Sequence, residues 1–190
     1  MQQYESNLMW HEEKRSVLLE TPVFTVTERQ SVGPNGMRGT YIVNEARDWA
    51  IVIAELDDQF LMVKQWRHGE QALSIEFPGG VIERGEDPDS AARRELLEET
   101  GCSAGTLIKL GMMNPNPALF ANHVHMYYAS DLHQTGTQQL DSDEFVHCTK
   151  IPKQDVCRLM GSPDYPHALM ASALGLYIIR FGTNSGTASK

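Results

Sequence analysis

The chain has 190 residues, with 16 Lys and Arg against 25 Asp and Glu and a formal net charge of −9. That length suits one domain with a small appendage, and it buries a core without metal or disulfide staples. The acidic balance excludes a broad nucleic-acid surface, which needs clustered Lys and Arg, and no apolar run approaches the roughly 18 residues that span a bilayer.

The opening stretch, MQQYESNLMWHEEKR, lacks the apolar core of a signal peptide. Cys102, Cys148 and Cys157 are odd in number and lack C-x-x-C spacing. They predict reduced thiols in a cytoplasm, and the acidic balance and the lack of a long apolar run predict neither nucleic acid nor membrane as partner.

Residues 1–48 read as a β-rich segment. Val23, Thr25 and Thr27 alternate with Phe24 and Val26, all good strand formers. Gly33-Pro34-Asn35-Gly36 marks a turn, and Thr40 to Val43 suits a returning strand. Two or three strands bury too little to stand alone. They must pack on the rest of the chain or on a second copy.

Ala50 to Leu56 is a short apolar run that predicts a buried strand. Asp57-Asp58 is a turn, and Phe60 to Trp66 completes a hairpin. Residues 69–87 read as loop with short extended pieces. A helix follows, capped by Asp87 or Asp89, with Pro88 in its first turn and Gly101 as its stop. Strands are expected near 105–113 and 122–130, then a polar loop at 135–143 and a last strand over 145–150. Pro166 and Gly182 bracket a packing helix over 166–181, with Leu169, Ala173, Leu176 and Tyr177 at helical spacing. Residues 183–190 are polar and small, and predict a disordered tail.

The first helix sets Glu95, Glu98 and Glu99 on one face. Like charges at this spacing repel. Arg94, four residues before Glu98, offsets part of the repulsion, and a hard divalent cation such as Mg²⁺ would offset more. A solvated acidic face is the plainer alternative. The turn Phe77-Pro78-Gly79-Gly80 precedes the helix. From Gly80 the chain follows G-x5-E-x7-R-E-U-x-E-E-x-G-U, where U is apolar. Gly80, Glu86, Arg94, Glu95, Leu96, Glu98, Glu99 and Gly101 all match, and Cys102 stands at the last apolar position.

This pattern resembles the Nudix box. Gln65-x-Arg67 followed by Glu76-Phe77-Pro78-Gly79-Gly80 is similar to the ADP-ribose and nucleoside-diphosphate-sugar pyrophosphatase branch of that superfamily. Pro115 and Pro117 fall near a proline of the same branch. However, Asn114 to Phe120 departs from the Ser-Pro-Gly loop type of ADP-ribose enzymes. The resemblance implies an α/β (α+β) fold, a Nudix α/β/α sandwich with a mixed sheet. It divides the chain into a β-rich dimerisation segment at 1–48, a hydrolase domain at 49–182 and the tail. It also implies a homodimer through the first segment.

The implied reaction is Mg²⁺-dependent hydrolysis, with Mn²⁺ as a substitute, of nucleoside diphosphate sugars such as ADP-ribose or GDP-mannose. The products are a nucleoside monophosphate and a sugar phosphate. By the same resemblance Glu95 and Glu99 are the principal metal ligands, Glu98 a third, and the Gly79 carbonyl a fourth. Glu86 ties the loop to the helix, with direct metal contact as the alternative, and Arg94 orients Glu98 and the loop. The general base is implied on a later acidic loop, at Glu144 or Asp143, with a box glutamate such as Glu98 as the alternative. Glu76 resembles a residue near the terminal sugar.

Arg67 ends a strand, and its guanidinium suits a diphosphate. A local ion pair is the alternative. Phe120 is expected to line a sugar or base pocket unless it is core. Arg47 and Trp49 could stack on a base unless they only pack. His123 and His125 share a strand face without a third soft ligand. Competing functions are nucleoside triphosphate or dinucleotide pyrophosphohydrolase, and a nucleotide-sugar sensor without turnover.

Overall fold

The computed structural model describes residues 2–140, 142 and 144–182. The predicted tail at 183–190 and the candidate base Asp143 lie outside them. The chain divides into two compact units. The first takes the chain through Arg47 together with Asn114–His123, and the second takes Asp48–Met113 and the chain from Val124 onward.

In the first unit a short helix α1 (Gln2–Glu5) precedes an antiparallel sheet of β1 (His11–Glu20), β2 (Phe24–Val32) and β3 (Arg38–Ala46), in that order. Pro34–Gly36 forms a 3₁₀ turn between β2 and β3, with Asn35 at φ 59°. Glu45 draws Arg15 (2.6 Å) and Arg29 (2.8 Å) together across the sheet. Asn114–His123 joins this unit through backbone bonds. The Asn44 N–H donates to the Leu119 carbonyl at 2.8 Å, and the Ala121 N–H donates to the Asn44 carbonyl at 3.0 Å.

The second unit is built on a mixed sheet with the order β10-β5-β4-β9-β8, β6 pairing with β5 and β7 with β4. Its strands are β4 (Trp49–Leu56), β5 (Gln59–Arg67), β6 (Ala72–Glu76), β7 (Gly79–Val81), β8 (Cys102–Met113), β9 (Val124–Gln134) and β10 (His147–Pro152). Among the described residues of this sheet, β4 and β9 are the one parallel pair. The β4–β5 turn holds Asp57 and Asp58 at φ 53° and 59°, which matches the right-handed twist of a hairpin.

The apolar run of β4 is explained by its central place. Ala50, Val52 and Ala54 face a core with Ala91, Ala92 and Leu96 of α2 (Pro88–Thr100). Ile51 and Ile53 face the opposite core, with Val156 of α3 (Lys153–Leu159) and Leu169, Ala173 and Tyr177 of α4 (Ala168–Phe181). A strand buried on both faces cannot alternate polar and apolar residues. The result is the predicted three-layer α/β/α arrangement.

Several details differ from the sequence reading, among them the bounds of β8, β9 and α4. The last strand runs 147–152 rather than 145–150, because its register is set by pairing with β5, His147 opposite Lys64. Helix α3 is too short to show a period. Strand β9 begins at Val124, so His123 lies outside the strand that carries His125. His125 instead faces Asp48 (3.3 Å) and Lys109 (3.3 Å).

Candidate active site

Helix α2 is fixed at both ends by local chemistry. The Asp87 carboxylate accepts from the N–H groups of Asp89 (3.1 Å) and Ser90 (3.2 Å), and Pro88 opens the first turn. Gly101 stops the helix at φ 71°, its N–H donating to the Leu97 carbonyl at 2.8 Å. With Ala91, Ala92 and Leu96 turned to the sheet, the helix carries Glu95, Glu98 and Glu99 towards the Phe77–Gly80 turn.

Arg94 is the hub of the cluster. Its Nε and Nη2 grip both oxygens of Glu86 at 2.9 Å each. Its Nη1 donates to Glu95 (2.8 Å) and Glu98 (2.9 Å), and Nη2 also reaches the Val81 carbonyl at 3.1 Å. Glu86 foremost, then Glu95 and Glu98, hold the guanidinium pKa above its ordinary value against burial. One arginine therefore ties the loop 81–86 to two box glutamates. The Glu83 N–H adds a bond to Glu86 at 2.9 Å.

Glu99 is buried, and the Gly79 N–H donates to its Oε2 at 2.8 Å. Burial, then the charges of Glu95 and Glu144, push its carboxyl up to about 8 despite the Gly79 bond. Burial also pushes Glu95 up, with Glu98 and Glu144 adding to it and Arg94 opposing. Glu144 is exposed, and its charge acts on both. A β-carbon at Gly80 would come 2.5 Å from Glu95 Oε1, so any side chain there would push the Glu95 carboxylate from its place. This accounts for a glycine at the head of the motif.

At the end of β5, Arg67 pairs with Glu76 of β6. Nε donates to Oε1 at 2.8 Å and Nη2 to Oε2 at 2.6 Å. Glu76 is fully buried. Burial pushes its carboxyl up, but Arg67, with help from His167, outweighs this and holds it below the usual carboxylate range. Arg67 is raised by the same pair, and Glu99 adds to it.

His167 is a neighbour that sequence reasoning missed. Its Nδ1 accepts from the Leu169 N–H at 3.2 Å and caps α4. Burial foremost lowers its pKa, while Glu76 opposes and Arg67 adds to the lowering. A position between Pro166 and a helical run was the signal available for it.

Of the residues expected at a sugar or base pocket, Trp49 opens β4 and packs on the α4-side core. Arg47 and Phe120 belong to the first unit. There the Arg47 carbonyl accepts from the Asn122 side chain at 3.0 Å, and Phe120 bridges to Asn44.

Residues 45–169 match the NUDIX domain. The chain belongs to the Nudix family. Within it the chain stands with the ADP-ribose pyrophosphatase branch and is a Nudix pyrophosphohydrolase. It is 32% identical over 143 residues to the "ADP-ribose pyrophosphatase" of Bacillus subtilis, covering 74% of this chain and 77% of the relative. It is 28% identical over 156 residues to the "ADP compounds hydrolase NudE" of Escherichia coli, covering 81% and 83%. A crystal structure titled as an ADP compounds hydrolase superposes with a TM-score of 0.81 at 24% identity, covering 92% of this chain and 97% of that one. That likeness establishes the fold.

Nudix hydrolases generally use divalent metals. The Nudix box here offers oxygen donors alone, as hard cations require. Burial foremost, with the charges of Glu95 and Glu144 adding, disfavours the ionised form of Glu99, and a cation would favour it. Among the described residues no three His, Cys, Asp or Glu side chains already form a metal cage. Arg94 occupies one oxygen each of Glu95 and Glu98, so these carboxylates must turn to reach a metal. Among the described residues no helix is long and apolar enough to cross a membrane.

Proposed function

We propose that the chain hydrolyses the pyrophosphate bond of nucleoside diphosphate sugars with Mg²⁺, Mn²⁺ substituting, ADP-ribose being the first substrate to test. The products are a nucleoside monophosphate and a sugar phosphate. The observation that carries this reading is the gathering of Glu95 and Glu99 against the Gly79–Gly80 turn, with Glu98 tied to Glu95 through Arg94 and the charge of Glu144 acting on Glu95 and Glu99. The names of the Bacillus and Escherichia relatives favour an adenosine diphosphate compound over GDP-mannose.

Glu95, Glu98, Glu99 and the Gly79 carbonyl would hold the metal. When bound, it neutralises diphosphate charge and acidifies the attacking water. Glu144 accepts the proton of that water as general base. Arg94 sets the glutamates' rotamers, and Glu86 anchors the loop. Arg67 has Nη1 left for a phosphate oxygen once Nε and Nη2 are spent on Glu76, and Glu76 fixes the direction of that fork. We further propose a cytoplasmic homodimer that meets through residues 1–48. The exposed run Val17, Leu18 and Leu19 on β1 supports it.

The test is turnover of ADP-ribose, GDP-mannose, UDP-glucose, ADP-glucose, NADH and GTP, with and without Mg²⁺, with products separated by chromatography. Metal-dependent release of AMP and ribose phosphate from ADP-ribose is the expected result. Activity on GTP alone overturns the sugar reading, and tight binding without turnover overturns the enzymatic one.

A further inference from the structure

The last carbonyls of an α-helix have no partner within the helix. In α2 they are met by the chain that follows β9. The Gln139 N–H donates to the Glu98 carbonyl at 2.8 Å, and the N–H groups of Thr135 and Gly136 donate to the Gly101 carbonyl at 3.0 and 3.2 Å. The Glu99 carbonyl is met by a side chain, Gln138 Nε2, at 2.6 Å.

That nitrogen carries two hydrogens, and its second bond goes to the Val146 carbonyl at 3.3 Å. One amide thus joins the helix carbonyl behind Glu99 to the residue before β10. Glu144 lies two residues before Val146, and its charge acts on both Glu95 and Glu99. The far side is anchored too, since His147 pairs with Lys64 in the sheet.

We propose that Gln138 is a positioning residue whose side-chain amide clasps the Glu144 end of this segment to the carboxyl end of α2, which carries Glu95 and Glu99, so that Glu144 is kept at that end of the helix for hydrolysis. This rests on Glu144 being the general base, as proposed above. The chemistry of the position is specific. Glutamate has no donor, methionine has neither donor, and asparagine is one methylene shorter. A plain helix cap contributes to stability alone. A clasp contributes to the rate through Glu144.

The full-length chain, Gln138→Met, Glu144→Gln and the double variant are compared with ADP-ribose and Mg²⁺, alongside thermal unfolding and hydrogen exchange. Gln138 is exposed, so the substitution leaves the core untouched. Gln138→Met should lower kcat by about 10- to 100-fold, less than the roughly 10²- to 10⁴-fold that a general base supplies, because Glu144 is displaced and not removed. Its KM should stay within about threefold, since no substrate contact is lost. The double variant should be no slower than Glu144→Gln, because the two residues act through one group.

A normal kcat in Gln138→Met, or losses that multiply in the double variant, overturns the proposal. Full activity of Glu144→Gln overturns it together with the base assignment. If the wild type turns over no member of the substrate panel, the proposed reaction fails separately and exchange decides the clasp. Faster exchange of the described amides from Gln139 to Val146 in Gln138→Met then supports it, and unchanged exchange refutes it.

Discussion

Arg67 holds both oxygens of Glu76, although Glu76 is fully buried and the arginine side chain is 41% exposed. Removing the arginine leaves a buried carboxylate with no partner. Such losses cost about 3–5 kcal/mol when both groups are dry. Partial solvation of Arg67 reduces the expectation to about 2 kcal/mol. Arg67→Met should therefore lower Tm by roughly 5 °C for a chain of this size. The folded carboxyl of Glu76 lies below its unfolded value. Its contribution is present above the unfolded pKa of about 4.3 and is lost as pH falls through the folded pKa. Thermal unfolding from pH 7 to pH 3 should show a steeper acid loss in the wild type than in Glu76→Gln. Parallel curves would refute the pair's role in acid stability.

Glu99 presents the opposite case. Its carboxylate is buried and repelled by Glu95 and Glu144. Glu99→Gln keeps an oxygen for the Gly79 N–H and removes the repulsion. Without metal and above about pH 8, where the buried carboxyl ionises, it should unfold no earlier than the wild type, while kcat with Mg²⁺ falls by about 10²- to 10³-fold, the scale of losing a strong electrostatic contact to the transition state. Calorimetry and steady-state rates on one preparation test both halves. A near-normal rate would remove Glu99 from the metal site.

Arg94 is asked to hold three carboxylates and one carbonyl. Lysine is a point charge without the planar fork. Arg94→Lys should free the 81–86 loop, cost about 1–3 kcal/mol as hydrogen bonds to charged groups are lost, and raise the metal concentration needed for half-maximal rate. Urea unfolding and a Mg²⁺ titration measure these. Unchanged values in both would reduce Arg94 to a surface ion pair.

At Gly80 the constraint is steric. A methyl group would meet the Glu95 carboxylate. Glu95 is the movable partner, so Gly80→Ala should displace it and lower kcat by about tenfold or more, as a misplacement near 1 Å can. Tm should shift by only a few degrees. Full activity would mean that the Glu95 position is not critical.

These cases also show which features the sequence made legible. The box helix could be read because its signals are local: Asp87 caps it, Gly101 stops it, and its glutamates share a face. The continuous apolar run of β4 likewise announced a strand buried on both sides. Strand β1 gave no such signal, since its residues are nearly all exposed and follow no period of two. The Arg67–Glu76 pair, the cap at His167 and the bonds of Gln138 join residues through the folded chain. Their partners depend on the sheet order β10-β5-β4-β9-β8, which no local spacing encodes.

Val17, Leu18 and Leu19 lie exposed together on β1, which pairs with β2 alone within its sheet. Apolar side chains on an edge strand invite pairing with another chain. If residues 1–48 form the subunit contact, Leu18→Glu with Leu19→Glu should convert the dimer to a monomer near 21 kDa by light scattering. Two buried charges without partners would be too costly at such a contact. The Nudix unit, with its own core on both faces of the sheet, should remain folded by circular dichroism. A double variant that stays dimeric would move the contact elsewhere, and a monomeric wild type would remove it.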